Sequence, residues 1–447
     1  MPKKKTALTI EERLQQALVP AEEQPYEVPE NWVWVRLGAV CYASKEKSND
    51  FSNEIKYIGL EHLEKDKGIV GFSSADKVKS TKNAFQEGQI LYGRLRPYLN
   101  KHDIASFSGV CSTDILVFKA SVLVANVLVD KFFNLPFFIE YVVANSKGIN
   151  LPRVSEKTIL NTTFPLPPLS EQQRIVERIE ELFAKLDEAK ERLQEVADSF
   201  AVRKAAILHK AFTGELTKQW RRENGVSDES WEERKLEEVC SKITDGTHNS
   251  PTNSLSGEYM YVTAKNIKDT GIDLSNITYV TKEVHKEIYS RCDVIYGDVL
   301  YIKDGATAGI ATINTLKEEF SMLSSVALIR TDLKLAKNEF VKDYLNYRKK
   351  EILKNISGSA ITRLTLSKIK DILVPLPTLP EQHEIVRLID DLLARERSAQ
   401  QAAEQALASI DLMKKSILAR AFRGELGTNK ASEASALELL KQVLAEN

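Results

Sequence analysis

The apolar positions of residues 166–217 recur at alternating intervals of three and four residues. This heptad spacing predicts a long helix with a single apolar seam. The seam consists of Ile175, Ile179, Leu182, Leu186, Leu193, Val196 and Phe200, and Arg203 interrupts it. Ser170 followed by Glu171 is a typical helix start, and about 40 residues at 1.5 Å each predict a rod of about 60 Å.

A second segment, residues 377–426, has a similar pattern with a poorer seam. Its members are Ile385, Ile389, Leu392, Ile410, Met413 and Ile417, with Glu396 and several alanines between them. Residues 164–216 and 374–426 align without a gap and are identical at 21 of 53 positions. The alternative is a pair of unrelated surface helices. The similarity instead predicts a duplication in which the two seams pack on each other, antiparallel because a globular segment separates them.

The duplication extends into the segments that precede the helices. Trp32, Leu37, Val40 and Cys41 match Trp231, Leu236, Val239 and Cys240, and Gly148 and Arg153 match Gly358 and Arg363. Short β-rich runs punctuated by Gly, Asn, Asp and Ser indicate α+β domains. We therefore expect an α+β fold: two globular domains joined by two long antiparallel coiled-coil helices, with approximate two-fold symmetry.

These patterns divide the chain into six parts. They are an N-terminal extension (1–30), a first globular domain (31–165), a first helical region (166–217), a second globular domain (218–376), a second helical region (377–426) and a C-terminal helical tail (427–447).

Charge and cysteine content exclude several classes of protein. The chain of 447 residues has 62 Lys and Arg against 63 Asp and Glu, so it is not a polyanion binder through overall basicity, although local basic faces remain possible. The four cysteines form no CxxC pair, which argues against a zinc ribbon or a disulfide scaffold. With no signal-peptide pattern and no run of about 20 apolar residues, we expect a cytoplasmic protein.

Catalytic motifs are missing from the sequence. It has no Gly-Lys dipeptide for a P-loop, no GxGxxG and no GxSxG, and its six histidines are isolated, with no HxxxH for a metal. We therefore expect neither catalytic residues nor a metal site, and the pattern favours a binding or scaffolding role.

Residues 77–101 are the most basic local segment. They carry Lys77, Lys79, Lys82, Arg94, Arg96 and Lys101 against Glu87 alone, with Tyr92 interleaved. Such cations can neutralise phosphates, and arginine can also bind guanine with two hydrogen bonds. The alternative is a solvated charged loop.

The second half offers polar side chains on predicted loops. The DNA-binding candidates here are Thr247, His248, Asn249, Lys265, Asn266 and Lys303. Asparagine can read adenine, but Asp-Gly and Asn also favour turns whatever the function. Arg153 and Arg363 occupy matching positions, which suggests a shared role as either a phosphate contact or a structural salt bridge.

The duplicated motifs resemble a known family. PLPPLSEQQRIVERIEELFAKLD, its copy PLPTLPEQHEIVRLIDDLLAR, and the closing KAFTGEL and RAFRGEL are similar to the conserved regions of type I restriction-modification specificity subunits (HsdS). The resemblance covers nearly the whole chain. It implies that the globular domains are target recognition domains, each reading one half of a bipartite target in double-stranded DNA.

The same resemblance implies partners for the chain. The helices would space the domains and dock two modification (methyltransferase) subunits, and motor-nuclease restriction subunits would complete the complex. Those partners would bring S-adenosylmethionine, ATP and magnesium, so this non-catalytic subunit would need no cofactor. Two alternatives stay open: a coiled-coil scaffold without sequence-specific DNA binding, and the recognition part of a fused methyltransferase or nuclease.

Overall fold

Two buried apolar runs, Ile90–Gly93 and Val299–Ile302, form equivalent central strands in the two halves of the chain. The computed structural model describes residues 9–49, 51–78, 80–354 and 363–446. It divides into two compact units: a first unit of residues up to 193 together with those from 405, and a second unit of residues 194–404. The predicted pair of α+β domains with long helices is confirmed.

Each central strand is apolar throughout because both of its faces are covered. Val299 and Tyr301 point into one hydrophobic core of the second unit, while Leu300 and Ile302 point into another. Successive side chains of a strand point to opposite faces of the sheet. A strand between two cores therefore has no polar face.

The described residues of the first unit form four sheets and five helices shorter than the first long helix. A four-stranded sheet has the order His102–Ile104, Ile90–Gly93, Ile115–Ala120, Cys41–Ala43, and a five-stranded sheet has the order Lys47–Ser48, Lys82–Phe85, Gly109–Cys111, Lys56–Ile58, Ser73–Ser74. Val33–Arg36 pairs with Thr163–Leu166, and Leu63–Glu64 pairs with Gly68–Ile69. The shorter helices are Ile10–Ala17, Asn126–Phe132, Pro136–Ala144, Glu156–Leu160 and Ala436–Glu446.

The second unit repeats the central part of this arrangement. Its four-stranded sheet has the order Cys240–Asp245, Val326–Thr331, Val299–Ile302, Ala311–Ile313, and a three-stranded sheet has the order Thr278–Val280, Tyr259–Val262, Phe320–Met322. Glu232–Lys235 pairs with Leu373–Leu376, and Ile267–Lys268 pairs with Gly271–Ile272. The helices are Phe200–Phe212, Lys218–Asn224, Lys282–Arg291, Asn338–Lys354 and Leu366–Lys370.

The predicted long helices are present, with one break. The first runs over Leu169–Asp198 and resumes at Phe200–Phe212, so the single rod expected there is interrupted at Ser199. The Ser199 hydroxyl donates to the Glu195 carbonyl at 2.7 Å, a bond that typically bends helices. The second long helix, Leu379–Ala421, is continuous over 43 residues.

Ion pairs within each unit show that the helical segments run antiparallel. In the first unit Lys414 lies 2.6 Å from Asp187, and Lys190 lies 4.0 Å from Asp411. In the second unit Arg203 meets Glu396, with 2.5 Å between Nε and Oε2. Arg203 and Glu396 are the two charged interruptions of the predicted seams. Their pairing explains how both are accommodated.

The predicted seam is correct at most positions and wrong at two. Ile175, Ile179, Ile385, Ile389 and Ile410 are buried, and Leu182, Leu186, Leu193, Phe200, Leu392 and Ile417 are half-buried. Val196 and Met413 are instead 39% and 50% exposed, while Leu418 is buried. A straight helix with 3.6 residues per turn drifts by about 20° per heptad relative to a 3.5-residue repeat, so a strict heptad leaves the buried face.

This drift leads to a paired prediction on the second long helix. Leu418→Ala should lower the free energy of unfolding by about 2–5 kcal/mol, because it empties a packed core position. Met413→Ala should change it by less than about 0.5 kcal/mol, as for other exposed positions. Denaturant unfolding followed by far-UV circular dichroism measures both. Equal losses would mean that the heptad assignment of Met413 was right.

A buried glutamine near the start of each long helix fastens it to the preceding domain. Gln172 and Gln382 occupy equivalent positions, and each amide accepts from one backbone N–H and donates to backbone carbonyls. These partners are Ala125 and Pro167 for Gln172, at 3.0 and 3.2 Å, and Lys337 and Pro377 for Gln382, both at 2.9 Å. Each helix is thereby held rigidly against its own domain.

The preceding glutamate is buried in both units. Glu171 accepts from Trp32 Nε1 at 2.8 Å and from the hydroxyl of Thr428 at 3.2 Å, and burial raises the pKa of this carboxyl group. Glu381 accepts from the hydroxyl of Thr217 at 2.6 Å. Both threonines follow the Gly-Glu-Leu end of the opposite helical repeat. The start of one repeat therefore meets the end of the other in each unit.

Within the part of the chain that the structure describes, none of the helices combines the length and apolar character needed to cross a membrane.

Candidate nucleic-acid interface

Each unit has two basic residues at equivalent positions near the end of its central strand. The backbone N–H of Val154 donates to the Arg94 carbonyl at 3.0 Å, and that of Leu364 donates to the Lys303 carbonyl at 2.8 Å. This pairing makes Arg94 equivalent to Lys303, and each residue directly follows its central strand. The next residues, Leu95 and Asp304, form β-bridges with Arg153 and Arg363. Each unit thus places two basic residues beside the end of its central strand.

In the first unit these cations line an open cleft of about 580 Å³. The basic residues in its wall are Arg94, Lys147, Arg153 and Lys157, and the remaining residues are Tyr141, Asn145, Ser155, Thr158 and Asn161. No carboxylate is among these lining residues. A concave surface with one sign of charge concentrates oppositely charged ligands.

Arg153 is held in the wall of this cleft by Asp114. Its Nε and Nη2 atoms lie 3.0 and 3.2 Å from the two carboxylate oxygens, and this pairing raises the pKa of the guanidinium group. Arg363 is placed more loosely, with its Nε 3.5 Å from Asp304 Oδ1. Both arginines stay exposed. The salt bridge expected as one alternative is therefore present in each unit, and it leaves both side chains open to a ligand.

Arg94 is half-buried, and its Nε has no hydrogen-bond partner among the described residues. Arg96 is exposed and has a left-handed backbone with φ of 52°. Lys101 donates to the Leu60 carbonyl at 3.0 Å, and Lys82 donates to the Ser80 hydroxyl at 2.7 Å. Among the basic side chains of this segment that the structure describes, Arg94 alone lines the cleft.

Three other candidates of the first half have different outcomes. Tyr92 is completely buried and packs edge-on against Phe133 and Phe138, so its prediction as a DNA contact is wrong. It belongs to an apolar strand covered on both faces. The arginines that follow it in the segment LYGRLR make this strand look like part of a basic loop. Lys77 lies in the short 3-10 turn Ala75–Lys77, and Lys79 lies outside the described residues.

In the second unit, Lys303, the equivalent of Arg94, belongs to a network of charged side chains. Its centre is Asp245, which is buried at the end of the strand Cys240–Asp245. Asp245 Oδ1 accepts from Arg291 Nη2 at 2.5 Å and lies 3.4 Å from His248 Nε2. Asp245 Oδ2 lies 3.5 Å from the Lys303 ammonium. One buried carboxylate therefore organises three basic side chains.

Lys303 is buried, so its prediction as a DNA-binding residue is wrong. Its ammonium also lies 3.0 Å from Asp304 Oδ2. An unpaired buried charge is costly, and two carboxylates offset that cost here. Lys303 therefore connects the Asp245 cluster to the exposed Arg363.

The remaining candidates of the second half divide between turn and surface. The Asn266 amide is buried and bonds to the backbone of Thr263 and Asp273, at 3.0 and 3.1 Å, so its prediction as a base-reading side chain is wrong. Thr247 and Asn249 bond to each other within a turn. Turn chemistry explains these three residues. Lys265 and His248 are exposed.

Sequence reasoning missed four residues of these surfaces: Lys147, Lys157, Asp245 and Arg291. Asp245 opens the segment DGTHNSP, which contains the candidates Thr247, His248 and Asn249, so attention to its first residue could have found it. Arg291 ends the helix Lys282–Arg291, far along the chain from Asp245, and no local pattern points to it.

Comparison with known proteins identifies the family of this chain. The family model described as "Type I restriction modification DNA specificity domain" matches residues 29–198 and 228–406. The chain is 29% identical to the EcoBI specificity subunit of Escherichia coli over 336 residues, 70% of each protein. It is 36% identical to the EcoDI specificity subunit of Escherichia coli over 210 residues, 44% of this chain and 45% of that protein.

Solved structures give the same fold. The HsdS subunit from Thermoanaerobacter tengcongensis superposes with a TM-score of 0.68 and 23% identity, over 90% of this chain and all of that one. The two matched domains coincide with the two duplicated halves found in the sequence. The chain therefore belongs to the type I restriction-modification specificity subunits, with two copies of that family's DNA specificity domain.

Proposed function

We propose that each unit reads one half of a bipartite target in double-stranded DNA. The observation that carries the proposal is an exposed arginine on equivalent backbone positions, Arg153 in the first unit and Arg363 in the second. Phosphate contacts position a protein on a duplex, while base contacts specify the sequence. An arginine shared by the two units suits the positioning role, because every half-site has the same phosphates.

The side chains beside this shared arginine differ between the units, which supports recognition of two different half-sites. Leu95 in the first unit stands where the second unit has Asp304. The first unit presents an open basic cleft, and the second presents the network around the buried Asp245. Hydrogen-bonding groups that differ in this way would contact different base edges.

The long helices would space the recognition domains and dock two modification subunits. Val202 and Leu412 are equivalent under the repeat and are 71% and 67% exposed, one in each unit. Equivalent exposed apolar side chains suit two copies of the same partner. Restriction subunits would join the complex, and S-adenosylmethionine, ATP and magnesium would be bound by the partners.

The test uses the chain in complex with its modification subunits. Adenines methylated by the complex are mapped first, which defines the two half-sites and their spacing. Arg94→Gln with Arg153→Gln should then weaken binding to all duplexes and reduce the slope of log affinity against log salt by about two, since each phosphate contact contributes about one. Lys441→Gln, on the exposed face of the C-terminal helix, is the control.

Two results would contradict the proposal. One is methylation without a split target sequence. The other is salt-independent DNA binding that the double substitution leaves unchanged, which would favour a coiled-coil scaffold. Binding of the modification subunits should be the same for all variants, and its loss would show that the two arginines are structural.

A further inference from the structure

Arg291 is an exposed arginine fastened to a buried partner. Its side chain is 50% exposed, while that of Asp245 is 2% exposed. Its Nη2 donates to Asp245 Oδ1 at 2.5 Å and lies 3.2 Å from His248 Nε2. Its Nε and Nη1 have no hydrogen-bond partner in the described part of the chain. One corner of the guanidinium group is therefore fixed, and the rest faces solvent.

The position of Asp245 is itself tightly determined. A Cβ atom at Gly246 would lie 1.9 Å from the Met322 carbonyl oxygen, so the backbone approaches this strand too closely for any other residue. The N–H of Thr247 donates to the same carbonyl at 2.9 Å. The second oxygen of Asp245 faces the buried Lys303. The Asp245 carboxylate therefore has little conformational freedom, and its hydrogen bond with Arg291 limits the orientations of that side chain.

We propose that Arg291 is a base-reading residue of the second unit and that it recognises guanine. The inference rests on the proposed DNA reading and adds to it one residue and one base. Guanine presents two acceptors, O6 and N7, to the major groove, and an arginine fork matches both. A side chain already oriented loses less conformational entropy when it binds.

The anchoring favours a base over a phosphate as the ligand. A phosphate contact depends mainly on free positive charge, and the Asp245 carboxylate neutralises much of the charge of Arg291. Asp245 takes one of the five N–H donors of the guanidinium group, and the remaining donors are better fixed in direction. This arrangement therefore favours hydrogen bonding to a base edge and weakens electrostatic attraction to a phosphate.

The experiment measures binding of the complex with modification subunits to duplexes in which each base pair of the second half-site is changed in turn. Wild type should lose affinity when a particular G·C pair is replaced. Arg291→Gln should remove that preference, a change of roughly ten- to a hundredfold, with an unchanged salt slope. Arg291→Lys keeps the charge and a possible ion pair with Asp245 but lacks the fork, so it should lose the preference too.

Lys286→Gln is the matched control, because Lys286 is exposed on the same helix. A uniform loss of affinity in Arg291→Gln, with the salt slope reduced by about one, would identify a phosphate contact and overturn the inference. An unchanged preference in both Arg291 variants would also overturn it. If wild type showed no preference for any base pair, the proposed function itself would fail.

Discussion

Replacing Glu381 with alanine is expected to lower the free energy of unfolding of the second unit by about 3–5 kcal/mol. Glu381 is completely buried, and its Oε1 accepts from Arg221 Nη1 and from the Thr217 hydroxyl, both at 2.6 Å. Its removal leaves the buried Arg221 with the exposed Asp228 as its charged partner. Breaking a buried pair on one side is costly because the other charge stays in the interior.

Hydrogen exchange of the amides in Lys218–Asn224 measures this effect, since that helix carries Arg221. Asp391→Ala, which breaks an exposed pair on the same long helix, is the control and should cost less than about 1 kcal/mol. Adding Arg221→Met to Glu381→Ala should restore much of the stability by removing the stranded charge. A small loss in the single variant would show that Arg221 finds another partner.

Gly246→Ala should reduce both the stability of the second unit and its DNA reading. The added Cβ would overlap the Met322 backbone at 1.9 Å, and backbone can move away only by displacing its strand. We expect a loss of about 2–3 kcal/mol, at the upper end of overpacking effects. Because the turn carries Asp245, the orientation of Arg291 should be lost as well.

Thermal unfolding and the base-substitution panel measure these two consequences. Gly71→Ala is the control, since a Cβ at Gly71 would have no neighbour within 4 Å. Its stability should stay close to that of wild type. Wild-type stability in Gly246→Ala would mean that the two backbone segments separate easily, and Asp245 would then be less firmly positioned than argued above.

The repeat made most of the architecture predictable. The long helical spans, apart from the break at Ser199, the antiparallel pairing and the equivalence of Arg153 with Arg363 followed from comparing the two aligned copies. The seam failed at Val196 and Met413 for a geometric reason, the drift of a straight helix from the heptad. Sequence spacing cannot show how far two helices supercoil.

The candidate site was less predictable, since its residues meet through tertiary structure. Tyr92 was mistaken for a surface aromatic because basic neighbours follow it, although its own strand lies between two cores. The Arg291–Asp245 pair joins residues 46 positions apart. Local reasoning found the loop of His248 but not the helix end that faces it.

The contact of Glu171 with Thr428 has a consequence for the order in which the protein can be built. It spans 257 positions, and the first unit needs residues from 405 onward, whereas the second unit is the continuous stretch 194–404. During synthesis from the N-terminus, the second unit has all its segments before the first does. The half made first therefore waits for the last part of the chain, with Glu171 at its helix start still lacking Thr428.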